Sequence, residues 1–317
     1  SDIILNMIFI FGAGKWGYAL SYAFSKKRIP ITIYDIKEET LKNIPKHPYI
    51  KTTTNIEDVL KHEIVIIATP TQSIKHIIEN CKDKDTIIAS KGIDISTHKD
   101  VIDLALEYNI EKSNIFVLSG PSFAEDVLKD LPVALTLGYF NREKALKLQN
   151  LLSSQLFRIY TSSDIKGVAL GGAIKNVMAI ASGIVEGAGL GESAQAALVT
   201  RGLKEMIKIG KLMGAREKTF YGLSGVGDLF LTASSNKSRN KRFGLLIGKK
   251  KSPKEALEEI KEVVEGYYTV KALYDIAIER HLDLPITNAV YKVLYENMSI
   301  EESMNTLLSR ELKEEDE

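Results

Sequence analysis

The chain has 317 residues, 44% hydrophobic and 26% charged, which suits two globular domains at roughly 150 residues each and excludes extensive disorder. With 42 Lys+Arg against 41 Asp+Glu the formal net charge is +1, so no global positive field draws in nucleic acid or anionic membrane. The single cysteine, Cys81, excludes an intrachain disulfide scaffold and a cysteine-based zinc site.

The apolar run from Ile3 to Phe11 lacks a positively charged leader and a small-residue cleavage site, so it does not read as a signal peptide. A soluble, cytoplasmic protein is expected. From Met7 to about Tyr160, short Ile- and Val-rich runs alternate with helical patterns. The strand candidates are Met7–Phe11, Ile31–Tyr34, Ile64–Ala68, Thr86–Ala89, Ile115–Leu118, Val133–Leu137 and Phe157–Tyr160. Several are continuously apolar, as strands covered on both faces are. This β-α-β-α order predicts a parallel, doubly wound sheet.

After Asp164 long helical patterns take over, at Ile165–Val185, Ser193–Met213, Ser252–Val264, Thr269–Arg280 and Thr287–Glu296. The second half is therefore expected to be all-helical, dividing the chain into 1–163 and 164–317 with a defined cleft and no long linker between. Gly167–Val185 is long enough to suggest a membrane span. Lys175, Asn176, Ser182 and its glycines favour a buried core helix instead. The acidic tail Glu311–Glu317 is expected to fray.

The first strand runs straight into Gly12-Ala13-Gly14-Lys15-Trp16-Gly17 and then a helix. This is G-x-G-x-x-G in the strand–turn–helix context that gives it meaning. Gly12 permits the tight turn, Gly14 leaves room for a pyrophosphate, and Gly17 lets helix and strand pack closely; the helix N-terminus then faces the phosphates. Asp35 ends the second strand 18 residues after Gly17, where a carboxylate accepts hydrogen bonds from an adenosine ribose. Such a carboxylate repels a 2′-phosphate, favouring NAD(H) over NADP(H), with Lys37 softening the discrimination. The alternative role for Asp35 is a cap on the next helix.

Two further segments follow apolar strands at the sheet edge where α/β folds bind ligands: Ser90-Lys91-Gly92 and Ser119-Gly120-Pro121-Ser122-Phe123-Ala124. Each alone also reads as a plain turn. Lys175 is a lone charge inside an apolar helix; burial moves a lysine pKa towards neutrality and suits it to proton transfer, the alternative being a snorkelling surface lysine. Gly222–Asp228 followed by Ser238-Arg239-Asn240 combines a glycine-rich turn, a carboxylate and an arginine suited to a small phosphorylated hydroxy compound. Lys237, Lys241 and Arg242 crowd the same stretch and leave a basic surface loop as the alternative. No metal-ligand cluster is visible.

Taken together, GAGKWG, SKG, SGPSFA, GGAIKNVMAIASG, GLSGVGDLFLTASSNKSRNKRFG and VVEGY resemble bacterial-type glycerol-3-phosphate dehydrogenases, in the family's order and over essentially 7–310. The resemblance implies an N-terminal Rossmann domain, a helical C-terminal domain and reversible NAD(P)H-dependent reduction of dihydroxyacetone phosphate to sn-glycerol 3-phosphate, a step towards phospholipids. It implies a homodimer, no nucleic-acid partner and no membrane span. Carried over by residue, Lys175 transfers the proton, and Lys91, Gly120, Ser122, Asp228, Ser238, Arg239 and Asn240 face the substrate. Trp16, Lys91, Ala124, Arg239, Val263 and Glu265 approach the nucleotide. Lys15, where the family has a small residue, and Asp35, where it often has basic or neutral residues, depart from the pattern. Two other readings share the glycine loop: a related β-hydroxyacid dehydrogenase, which does not need Arg239 as a phosphate anchor, and a nucleotide-binding sensor without turnover.

Overall fold

The computed structural model describes residues 7–312, 314 and 315. The start of the apolar N-terminal run, at 3–6, and positions 313, 316 and 317 of the expected frayed tail lie outside the described residues.

Eight strands form one sheet: β1 (Ile8–Phe11), β2 (Ile31–Tyr34), β3 (Ile50–Thr53), β4 (Ile64–Ile67), β5 (Asp85–Ile88), β6 (Ile115–Ser119), β7 (Val133–Tyr139) and β8 (Phe157–Ser162). Their spatial order is β3-β2-β1-β4-β5-β6-β7-β8, with the chain crossing over after β3. Helices α1 (Lys15–Ser25), α2 (Glu38–Lys42), α3 (Val101–Glu107), α4 (Ala124–Leu128) and α5 (Arg142–Leu152) connect them.

Two features depart from the expected all-parallel sheet. β7 pairs antiparallel with β6, and β8 then runs parallel to β7. The segment joining β6 to β7 contains only the five-residue α4, which rises about 7 Å. The equally short α2 joins β2 to β3, which pair parallel, so helix length alone does not set the reversal at β7. The strand β3, absent from the sequence expectation, is an edge strand with one buried residue in the sequence Ile-Lys-Thr-Thr. It offers no apolar run to detect.

Alternate residues of each strand face opposite layers. Ile8, Ile10, Ile31, Ile33 and Ile66 pack under α1 and α5 with Leu20, Phe24 and Leu148. Phe9, Phe11, Val65, Ile67 and Val117 point the other way, where Ile165, Val168 and Ala169 cover them. Those last three residues open α6 (Ile165–Gly187), so one helix closes the sheet and then continues as the centre of a second core. Asp164 caps α6 by accepting the Gly167 N–H, and also accepts from the Arg216 N–H and the Thr219 hydroxyl.

The remaining elements are helical: α7 (Glu192–Leu212), α8 (Asp228–Ser234), α9 (Arg239–Gly248), α10 (Pro253–Ile260), α11 (Glu265–Glu279), α12 (Pro285–Tyr295) and α13 (Ile300–Leu308). They surround α6, whose apolar stretch is buried within the protein rather than presented as a spanning surface. The helix expected over Ser252–Val264 stops at Ile260, because Lys261 turns left-handed at φ 56°. Glu262 and Val263 therefore lie in a connection, and Glu265 opens α11 four residues earlier than expected.

Candidate active site

The glycine turn has the geometry its sequence requires. Gly12 sits at φ +98°, and a side chain there would meet the Ala68 carbonyl at 2.8 Å. A Cβ on Gly17 would collide with the Gly12 carbonyl, so only glycine lets α1 start this close to β1. Beside Gly14 there is open space. Asp35 accepts the Ala13 N–H through Oδ2 (3.0 Å) and the Lys37 N–H through Oδ1 (2.9 Å). The carboxylate thus ties the glycine turn to the end of β2, while also ordering the residues before α2. Ala124 opens α4, which packs against α1.

Opposite this turn, α6 carries Lys175 inside the protein. The Nζ donates to Asp228 Oδ1 (3.0 Å) and Thr232 Oγ1 (2.6 Å). Lys91, from the connection after β5, donates to the other Asp228 oxygen at 2.7 Å and to the Gly120 carbonyl at 3.0 Å. One buried carboxylate therefore holds two ammonium groups that arrive from different halves of the chain. The Ser122 hydroxyl donates to the same Gly120 carbonyl at 3.3 Å.

The backbone makes this convergence possible. Asp228 is presented at the end of the π-turn Leu223–Gly227, which lies against α6 at Gly171. A Cβ on Gly171 would collide with the Ser224 carbonyl. Asp228 and Thr232 are i and i+4 on α8 and face the same lysine.

The electrostatics follow from burial. Desolvation first, with the charges of Lys91 and Arg239 adding to it, outweighs the pull of Asp228 and lowers the Lys175 pKa from 10.5 to about 8. Burial alone would raise the Asp228 pKa, but Lys175 and Lys91 outweigh it and hold the carboxyl below its ordinary value. Asp228 is consequently an anion and Lys175 an ammonium poised to release its proton near neutrality.

Other expected site residues surround this pair at greater remove. Asn240 is buried: its Nδ2 donates to Asn176 Oδ1 (3.0 Å) and its Oδ1 accepts the Gly266 N–H (2.9 Å), while Asn176 Nδ2 donates to the Lys91 carbonyl (3.3 Å). Asn240 thus joins α6, α9 and α11. Ser238 caps α9 by accepting the Lys241 N–H. Arg239, the first residue of α9, is half-exposed, with Glu262 at 3.8 Å as its carboxylate neighbour. The stretch that also read as a basic surface loop is this helix, and Lys241 within it is buried, paired with Glu186 at 2.7 Å. Val263 is partly exposed beside Glu262. Glu265 accepts the Thr71 N–H through Oε1 (2.9 Å), and burial raises its pKa to about 7.

Among the described residues, six enclosed side-chain polar atoms lack a hydrogen bond of good geometry, and five of them belong to Trp16, Thr69, Thr71, Ser119 and Glu265, the Thr71 hydroxyl and Glu265 Oε2 lying near each other. These five lie at the glycine turn, at the carboxyl ends of β4 and β6, or on α11 against them. Buried polar atoms are normally satisfied, so such a grouping marks a place built for polar ligand atoms. With the open side of Gly14 and the free N–H groups at the start of α1, it fits a dinucleotide. Sequence reasoning missed Thr232 and Thr71, and it named Ser119 and Asn176 with no site role of their own, as parts of the 119–124 segment and the GGAIKN motif; Thr232 was signalled by its i+4 spacing from Asp228.

A glycine-turn dinucleotide cradle facing a buried lysine–carboxylate pair defines a two-part dinucleotide-dependent oxidoreductase. The family models described as NAD-dependent glycerol-3-phosphate dehydrogenase N-terminus and C-terminus match residues 7–145 and 164–305. Glycerol-3-phosphate dehydrogenase [NAD(P)+] of Clostridium tetani is 37% identical over 99% of this chain and 95% of its own length. The Thermotoga sp. protein of the same name is 40% identical over 97% and 98%. Among solved structures, glycerol-3-phosphate dehydrogenase from Coxiella burnetii superposes with a TM-score of 0.91 at 29% identity, covering 97% of this chain and all of that one. This chain belongs to the NAD-dependent glycerol-3-phosphate dehydrogenase family.

Proposed function

We propose that this protein is an NAD(P)-dependent sn-glycerol-3-phosphate dehydrogenase that reversibly reduces dihydroxyacetone phosphate. The observation that carries the reading is the Lys175–Asp228–Lys91 arrangement beside the glycine-turn cradle. We propose residues 1–163 as the dinucleotide-binding domain, 164–317 as the substrate-binding and catalytic domain, and a cytoplasmic homodimer supplying glycerol phosphate for phospholipid synthesis.

Bound nicotinamide dinucleotide supplies or accepts the hydride. Lys175 donates a proton to the ketone oxygen during reduction, and takes it back from the hydroxyl during oxidation; a pKa of about 8 suits both directions. Asp228 keeps the ammonium aimed, and Lys91, on the opposite carboxylate oxygen, holds Asp228 ionised and adds positive charge where an alkoxide develops. Arg239 anchors the substrate phosphate with Ser238 and Asn240 beside it, turning remote binding into orientation of the carbonyl. Gly120 and Ser122 shape the floor on the sheet side. Gly12, Gly14, Lys15, Trp16 and Gly17 hold the pyrophosphate end of the dinucleotide. Asp35 accepts from the adenosine ribose, which favours NAD(H), and Ala124, Val263 and Glu265 complete the nucleotide contacts.

The test is a spectrophotometric assay of the purified protein with NADH and NADPH, each offered dihydroxyacetone phosphate and an unphosphorylated hydroxyketone. Oxidation of NADH confined to the phosphorylated substrate supports the reading. Equal use of both substrates would favour a β-hydroxyacid type of enzyme, and tight nucleotide binding without turnover would favour a sensor.

A further inference from the structure

Lys15, the departure from the small residue usual in the glycine turn, reaches across to the helical half of the chain. Its Nζ donates to Glu262 Oε1 at 3.1 Å. The same carboxylate lies 3.5 Å from an Arg242 nitrogen and 3.8 Å from an Arg239 nitrogen. Among the described residues, none of the three cations has another carboxylate within 4.0 Å. Three positive groups share one negative one, and they do so beside the residues proposed above to take phosphate.

We propose that Glu262 is a built-in competitor of phosphate: a phosphate group that takes Arg239 displaces the Glu262 carboxylate from the Lys15–Arg239–Arg242 cluster. The proposal rests on the reading of Arg239 as a phosphate anchor and adds a residue that sets how tightly, and how selectively, phosphate is held.

Four features make the exchange possible. The pairs are exposed, with side-chain accessibilities of 76% for Lys15, 45% for Arg239, 39% for Arg242 and 27% for Glu262, so each holds weakly against solvent. The two arginine distances exceed those of tight charge-assisted hydrogen bonds; Arg242 also donates to the Asn236 and Lys237 carbonyls at 3.5 and 3.4 Å, so Arg239 is the guanidinium left open to a new acceptor. Phosphate offers close to two negative charges and several acceptor oxygens against the single charge of Glu262. Finally, Glu262 stands in the connection between α10 and α11, just after left-handed Lys261, where backbone torsions can change without unravelling either helix. The displaced carboxylate would carry Val263 with it, coupling phosphate capture to a proposed nucleotide contact.

The selectivity follows from the competition. A ligand with a single weak charge does not outcompete Glu262 on three cations, whereas a dianionic phosphate does. Removing the competitor should therefore tighten binding of phosphate in general and erode discrimination against monoanions.

Calorimetric titration of wild type and Glu262→Gln with inorganic phosphate, and separately with acetate, at constant ionic strength tests this. Gln keeps the size of the side chain and the site is exposed, so matching melting temperatures will establish that the variant is folded. The expected result is phosphate affinity tightened by about three- to tenfold in the variant, with acetate binding gained as well. The KM for dihydroxyacetone phosphate should fall with it, while kcat changes less. Phosphate affinity that is unchanged, weakened or undetectable in Glu262→Gln overturns the proposal. Because the titration needs no turnover, it decides the role of Glu262 even if the wild-type assay shows that dihydroxyacetone phosphate is not the substrate.

Discussion

Thr232 stands one helical turn after Asp228, and its hydroxyl oxygen lies 2.6 Å from the Lys175 ammonium, closer than the carboxylate itself. The hydroxyl also donates to Asp228 Oδ1 at 3.2 Å, so lysine, threonine and aspartate form a closed triangle. Thr232→Val keeps the shape and removes one acceptor from a buried cation. Hydrogen bonds to charged groups are worth about 1.5–3 kcal/mol, so kcat should fall by roughly tenfold or more. The Lys175 pKa should also drop further, since the charged form loses a partner. A pH profile identical to wild type would remove Thr232 from the site.

Burial places the Lys175 pKa at about 8, and the direction of its effect depends on the direction of the reaction. Reduction needs the ammonium form, so kcat/KM for dihydroxyacetone phosphate should be highest below pH 8 and decline as pH rises through it. Oxidation of glycerol 3-phosphate needs the neutral amine and should gain over the same interval. Steady-state profiles in both directions, with cofactor saturating, check this. Parallel profiles would assign the titration to another group.

Arg239 is half-exposed and, among the described residues, has Glu262 as its one carboxylate within 4.0 Å, at 3.8 Å, so its loss should leave the melting temperature almost unchanged. Arg239→Ala should instead raise the KM for dihydroxyacetone phosphate by about tenfold or more, the loss of one charge-assisted phosphate contact. A wild-type substrate dependence would mean that the phosphate is held elsewhere.

Asp35 has two consequences to separate. Its hydrogen bond to the Ala13 N–H supports the glycine turn for either cofactor, while its charge bears only on the 2′ position. Wild type should prefer NADH in kcat/KM. Asp35→Ser should narrow or reverse that preference, chiefly by improving NADPH use, with some loss for NADH as the turn loosens. Preference for NADPH in wild type, unmoved by the substitution, would leave Asp35 as support for the turn alone.

Much of this site was legible before any coordinates because its parts are chemically anomalous for where they sit. A lysine among Gly171, Gly172, Ala173 and Ile174 has no cheap explanation, and a strand running into three spaced glycines has few. Contacts that depend on tertiary approach left no such trace. Nothing local in the sequence sets Lys91 against the far oxygen of Asp228, since the two are 137 residues apart. The helix α9 was obscured by its charge: Lys237, Lys241 and Arg242 suggest a solvated loop, although Lys241 is buried and Ser238 supplies a helix cap. The helix α13 carries Ser299 followed three residues later by Glu302, a legible start signal that passed unnoticed. The reversal at β7 leaves no local mark in the sequence, since its antiparallel pairing with β6 is a tertiary relationship.

The proton-transfer role of Lys175 is the claim on which the mechanism stands, and Lys175→Met tests it most directly. Methionine has nearly the length of the lysine stem without a titratable group, and Asp228 keeps Lys91 as a counter-ion, so the fold and NADH binding should survive. NADH affinity can be followed through the fluorescence of Trp16, the single tryptophan, which lies in the glycine turn. The expected result is unchanged NADH affinity with kcat for dihydroxyacetone phosphate reduced by about 10²–10⁴-fold. Near-normal turnover in a folded, NADH-binding Lys175→Met protein would contradict it.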